Sequence, residues 1–225
     1  MANIVLRELE KHFDIYKDDF SEFSNKYTLP FHIKTHTFSI KQVGHLCIMQ
    51  AKSPFSLAKI QNVEIVPFFK DAPIFSYNRI KKAGSEIFII EFYDTFIDKN
   101  QVPYKKHEEN LCKIKEGLKI IPQYNSGVQH WYDFLHLPMS VQKKAKKCNV
   151  QFNKAFAAML IEYVNLVKDA KVLAGNEFEE KRNKVQYLAD GLLTNGGPCV
   201  NTFYKLFGTE KAETFIKKCY LGLEK

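Results

Sequence analysis

Residues 58–97 read AKIQNVEIVPFFKDAPIFSYNRIKKAGSEIFIIEFYDTFI. Three runs rich in β-branched and aromatic residues are broken by a turn containing Pro67, Lys70, Asp71 and Pro73, and then by Gly84. Runs of this length and composition, bounded by turn residues, read as strands. The breaks are too short to hold crossover helices, so neighbouring strands must run antiparallel. This pairing puts Asn62 and Asn78 in adjacent strands, and the two-residue period places Asn78 on one face with Ile74 and Ser76. Amides on an otherwise apolar sheet need partners if buried, as ligand contacts or as core hydrogen-bonders.

Upstream, FHIKTHTFSI (31–40) and HLCIMQA (45–51) continue the strand pattern, so a sheet is expected over about 31–97. Before it, Val5, Leu9, Phe13, Tyr16, Phe20 and Phe23 recur every three or four residues, which predicts one amphipathic helix over 3–24. From about 104 to 222 the period is helical again. KKHEENLCKIKEGLKII is closed by Pro122, a long helical face lies within 139–173, and a helix over 177–193 stops at Asn195-Gly196-Gly197. Two short closing helices follow, the second with Thr209 as its expected N-cap. Helix, strands, then helices predicts an α+β fold, with a central antiparallel sheet covered by helices, in a single domain over 1–225.

The formal charge of +8 is built from 30 Lys and only 3 Arg: Arg7, Arg79 and Arg182. Base readout leans on the planar arginine fork, so nucleic acid is not the expected partner. A lysine field suits an acidic protein instead. The densest run, Lys143-Lys144-Ala145-Lys146-Lys147, is read as the solvated face of an opening helix. No apolar stretch is long enough to span a membrane and the N-terminus has no signal-like run, so a soluble cytoplasmic protein without a membrane partner is expected. Five dispersed cysteines with no C-x-x-C spacing read as reduced thiols. Phosphate-loop, dinucleotide, G-x-S-x-G and H-E-x-x-H motifs are absent from the sequence. His32 and His36 share a strand face with no carboxylate or thiol near in sequence to complete a metal site, so none is expected. Glu91 shares a face with Tyr93 and could reach into a cavity, with an exposed edge position as its default reading.

The segment NVEIVPFFKDAPIFSYNRI, followed by EIFIIEFYDTF, resembles the strand, proline turn and strand of the ferredoxin-dependent bilin reductases, to which red chlorophyll catabolite reductase is distantly related. FLHLPMS is similar to that family's segment before its penultimate long helix, and TFYKLFGTEKAETFIKKCYLGL to its C-terminal element, so the likeness runs collinearly over 31–222. The resemblance implies an α/β/α sandwich holding an open-chain tetrapyrrole between the sheet and the C-terminal helices. It also implies no bound cofactor, single electrons from reduced ferredoxin or flavodoxin, and protons from side-chain acids.

The family's pattern is altered at its acids. An aspartate position falls on Asn78 and the preceding glycine on Ser76; a second aspartate position falls on Gly197. Asn62 stands where members carry His or Asn, and an acidic strand position falls on Met49 or Gln50. The family's propionate-pairing arginine is replaced near His136 or Leu137. The resemblance therefore implies a divergent reductase in which water or another acid, His45, Glu64 or His136, delivers protons. Its alternatives are a tetrapyrrole binder without reduction, or an interaction protein with a filled pocket. Asn62, Asn78 and Arg79 would hydrogen-bond the ligand, with Met49, Gln50, Ser76, Gly197 and Asn201 around it. The lysines, among them Lys81, Lys82, Lys143, Lys144, Lys146 and Lys147, would dock the acidic donor.

Overall fold

The computed structural model describes residues 2–28, 31–146, 150–197 and 200–224. Strands β1 (Ile15–Lys17), β2 (Asn25–Thr28), β3 (Phe31–Ile40), β4 (Gly44–Lys52), β5 (Ala58–Val66), β6 (Ile74–Lys82), β7 (Ser85–Tyr93) and β8 (Val141–Ala145) form one sheet. All pairings are antiparallel, in the order β1-β3-β4-β5-β6-β7-β8, with β2 also against β3. The expected meander is thus present over 31–93, and Asn62 and Asn78 are direct register partners.

Helices cover both faces. On one lie α1 (Ala2–Glu10), α3 (Val102–Glu116) and α4 (Val150–Asp169); on the other lie α5 (Asn176–Asn195), α6 (Val200–Phe207) and α7 (Thr209–Thr214). A short helix, α2 (Ser21–Ser24), precedes β2. The α4 face buries Phe152, Phe156, Met159, Leu160, Tyr163 and Val164 at helical spacing. Phe152 stacks on Phe88 of β7 with ring centroids 4.6 Å apart, and Phe156 meets Tyr77 of β6 at 4.2 Å. His107 of α3 ties α3 to α4: its ring nitrogens lie 2.7 Å from Glu162 Oε1 and 3.1 Å from Asp169 Oδ2. Central strands bury residues on both faces, because helices cover the sheet on each side.

Three local expectations are corrected. The helix over 3–24 stops at Glu10, where Leu9 O accepts from His12 N and Phe13 N in a turn. Ile15–Lys17 then pairs with Ile40, Ser39 and Phe38 at the edge of the sheet, a tertiary pairing that overrides the helical period. Lys143 and Lys144 do not open a helix but lie in β8 against β7; Lys143 is buried, and Lys147 lies outside the described residues. Thr209 is the first residue of α7 rather than its cap; Gly208, at φ 78°, precedes the helix. The stop at 195–197 is present, with Gly196 at φ 77° closing α5.

Chain winding after α7 is unusual, because Phe215–Tyr220 forms a π-helical turn. That wider turn packs Phe215, Ile216, Cys219 and Tyr220 into the core between sheet and helices. Cys47 and Cys112 are free thiols and Cys219 is buried, while Cys148 and Cys199 lie outside the described residues. Among the described residues, no helix is long and apolar enough to cross a membrane.

Candidate functional site

The sheet face beneath α5–α7 carries a row of buried polar side chains. Alternation along β5 turns Asn62 and Glu64 toward this face and Val63 and Ile65 toward α4. Along β6 it does the same for Ser76 and Asn78 against Phe75 and Tyr77, and along β7 for Glu91 and Tyr93 against Ile90 and Phe92. Register then aligns the row, since Ser76 is the partner of both Glu64 and Glu91. Asn62 is 0% exposed, Glu64 1% and Ser76 1%.

Within the row, Asn62 Nδ2 donates to Asn78 Oδ1 at 3.1 Å and to Tyr220 Oη at 3.3 Å. The two carboxyl groups have different surroundings. Glu91 accepts from Tyr93 Oη at 2.7 Å through Oε2 and from Gln142 Nε2 at 2.8 Å through Oε1, and His136 Nε2 stands 3.5 Å from Oε1. Glu64 has one oxygen, Oε2, without a hydrogen-bond partner. Burial pushes its carboxyl well above the usual carboxylate range. Hydrogen bonds with Ser76, Tyr220 and Asn62 oppose that shift, and the Glu91 charge adds to it. Burial, and then the charges of Glu91 and Glu64, likewise push the Tyr93 phenol well above its ordinary value. A carboxyl whose affinity for its proton is raised by burial is suited to act as a general acid.

Facing helices close over the row. Leu188 and Leu192 of α5, Val200 and Phe203 of α6, and Ile216 and Tyr220 of the π turn leave a cavity of about 30 Å³ against Glu64, Asn78, Glu91 and Tyr93. That is room for about one water, against roughly 300–1,000 Å³ for a site holding a drug-sized ligand. The site is shut in this conformation. Glycines flank α6 on both sides, Gly196 at φ 77° and Gly208 at φ 78°, conformations that other residues rarely adopt.

The structure brings Asn62, Glu64, Ser76 and Asn78 together, with Met49 as the register partner of Asn62 and His136 at the far end beside Glu91. Gly197 lies nearby, where a side chain would strike Leu192. Four other expectations are corrected or fall outside. Arg79 points to the opposite face, where its Nε binds Glu86 and its Nη1 donates to Asn153 Oδ1 at 2.5 Å; one residue along a strand reverses the face. Gln50 is turned away from Met49 in the same manner. His45 lies outside this group, with Nε2 2.7 Å from Cys219 O on the wall of a different cavity. Asn201 belongs to α6, but its side chain lies outside the described residues.

Glu91 is not at an exposed edge: β8 covers β7, and Glu91 is 4% exposed. The period-2 spacing Ile87, Ile89, Glu91, Tyr93 was the signal that a buried face carried it. Tyr220 was invisible to sequence reading, because only the π turn aims it at Asn62. Among the described residues no group of three or more histidine, cysteine or acidic side chains could hold a metal ion.

No family model matches the chain, and no curated protein matches it in sequence. The fold is similar to that in the crystal structure of selenomethionine-labelled phytochromobilin synthase from tomato in complex with biliverdin, with a TM-score of 0.75 over 100% of this chain and 83% of that chain. Identity between the two is 12%, so the likeness is one of fold.

Proposed function

We propose that this chain is a divergent bilin reductase, binding a linear tetrapyrrole between the sheet and helices α5–α7 and reducing it with single electrons from an acidic ferredoxin or flavodoxin. The observation that carries the reading is the polar row of buried Asn62, Glu64, Ser76 and Glu91 with half-buried Asn78, in which burial against apolar helices pushes the Glu64 carboxyl well above the usual carboxylate range. Reducing one double bond takes two electrons and two protons. Glu64 gives one proton from its O–H, a role open to a carboxylic acid whose pKa is tuned upward by burial. His136 with Glu91 serves the second, from the other end of the row. Asn62 and Asn78 supply amide donors and acceptors for pyrrole nitrogens and lactam oxygens. Since the cavity is shut, binding would swing α6 and α7 outward about the Gly196 and Gly208 turns.

Electron delivery would use the lysine-rich end of the sheet. Lys52, Lys59, Lys82, Lys144 and Lys146 are exposed there, and Glu86 between them is buried against Arg79. An acidic donor would meet that end through charge complementarity. The fold likeness to a biliverdin-bound protein supports the ligand class. A second reading is favoured by the about 30 Å³ cavity: a protein that keeps this fold with its pocket filled and acts through its surface. Anaerobic incubation with biliverdin and a reduced ferredoxin system separates them. The proposal expects loss of the biliverdin absorption bands with time and no loss with Glu64→Gln; an unchanged spectrum in the parent protein contradicts reduction.

A further inference from the structure

We infer that a second cavity, at the β3–β4 end of the sheet, is a binding site for a small planar aromatic carboxylate. It measures about 310 Å³, within the range of small-molecule sites. None of the polar-row residues lines it, and the two cavities lie on either side of the C-terminal segment: Tyr220 borders one, Gly222 and Leu223 the other.

Its walls combine flat apolar surface with positive charge. Phe69 and Phe178 stack at 4.9 Å with ring planes 18° apart, and Phe69 is 42% exposed, so the pair presents a flat apolar surface to the cavity. Arg182 follows Phe178 by one turn of α5, so the two side chains share a helix face. Its Nη2 donates to Leu223 O at 2.8 Å, which anchors the guanidinium on the cavity wall and leaves other N–H groups of the fork to meet an anion. Lys41 stands at the lip, its charge partly offset by Asp14 at 3.3 Å, in a pair that is more than half exposed on both sides. The buried His45 ring forms part of the floor, with Gly222 packed so closely that a Cβ there would sit 2.4 Å from the ring. Among the described residues no aspartate or glutamate lines the cavity; Asp18 stands behind its wall, accepting from Ser39 Oγ at 2.7 Å and lying 3.9 Å from His45 Nδ1. Two cations, an imidazole and stacked phenyl rings with no lining carboxylate suit a ligand that is flat, apolar and anionic at one end. The volume suits one or two fused rings.

The probe is 2-naphthoate, titrated into the full chain by calorimetry, with neutral 2-naphthalenemethanol as comparator. Saturable binding of naphthoate is expected, at least tenfold tighter than the alcohol, weakened at least tenfold by Arg182→Gln and likewise by Phe178→Ala, and unchanged by prior saturation with biliverdin. Arg182 is exposed, so its exchange preserves the fold, which circular dichroism would verify. Absence of saturable naphthoate binding, equal affinity in Arg182→Gln, or displacement by biliverdin would each overturn the inference.

Discussion

Replacing Glu64 with Gln tests the buried acid at two levels. In the folded chain the carboxyl titrates well above its usual range because burial penalises the charged form. In the unfolded chain it titrates near the free value of about 4.3. For a carboxyl whose folded pKa is raised, its contribution to stability is intact below the unfolded pKa and is lost as pH rises toward the folded one. The loss is about 1.4 kcal/mol per pH unit inside that window. Gln keeps the shape and stays neutral, so the variant loses nothing there. Glu64→Gln should therefore match the parent near pH 4 and become progressively more stable than it above pH 5. The gap should widen by about 1.4 kcal/mol per unit until the folded pKa is passed. For a domain of this size that corresponds to roughly 3–6 °C in Tm per unit. Thermal or urea melts of both proteins at pH 4, 5, 6 and 7 measure the gap directly, and other titrating groups cancel in the comparison. A gap that stays flat or narrows with pH would mean that Glu64 is ionised in the folded state, and the argument for it as a proton donor would fail.

Other outcomes follow from particular contacts. Lys181 is fully buried and donates to Ala72 O, Thr95 O and Thr95 Oγ1, and burial pulls its ammonium down to about 7. Lys181→Met strands those acceptors and should cost roughly 2–4 kcal/mol. Because the parent's folded pKa is depressed, the parent gains stability between pH 7 and 10, so the deficit of the variant should grow across that range in urea titrations. Gly191→Ala would set a Cβ 2.1 Å from the Trp131 ring, and overpacking of this kind costs about 1–3 kcal/mol; Trp131 is the single tryptophan, so its emission should shift along with the melting point. Asn78→Asp adds an acid beside Asn62 in the row and should raise biliverdin turnover with pigment affinity unchanged; equal turnover would show that the family's proton route does not transfer to this position. Finally, turnover supported by an acidic ferredoxin should fall as salt rises from 50 to 300 mM, and insensitivity to salt would rule out the lysine-rich end as the docking surface.

Much of the sheet was legible because 31–97 alternates strands with short turns, which put Asn62 and Asn78 in adjacent strands; their direct register is set by the sheet pairing. The ends were not. Ile15–Lys17 and Val141–Ala145 are short edge strands whose pairing comes from neighbours distant in sequence, so the local period suggested helix in both places. Site residues divided in the same way. Glu64, Ser76 and Asn78 lie where alternation puts them. Arg79 was drawn to the site by proximity in sequence, although the same alternation turns it away. Glu91 looked like an edge residue because the Lys-rich β8 that covers it did not look like a strand. Closure of the pocket depends on how α6 and the π turn pack, and nothing in a periodic pattern reports that.

Titration of the purified chain with biliverdin, followed by visible absorption, tests the central claim most directly. A ligand seated beside Glu64 and the Asn62–Asn78 pair should give a saturable shift of the red band, and Leu192→Trp, which fills the seam further, should abolish it. A spectrum equal to that of free biliverdin at saturating protein would contradict tetrapyrrole binding and leave the filled-pocket reading.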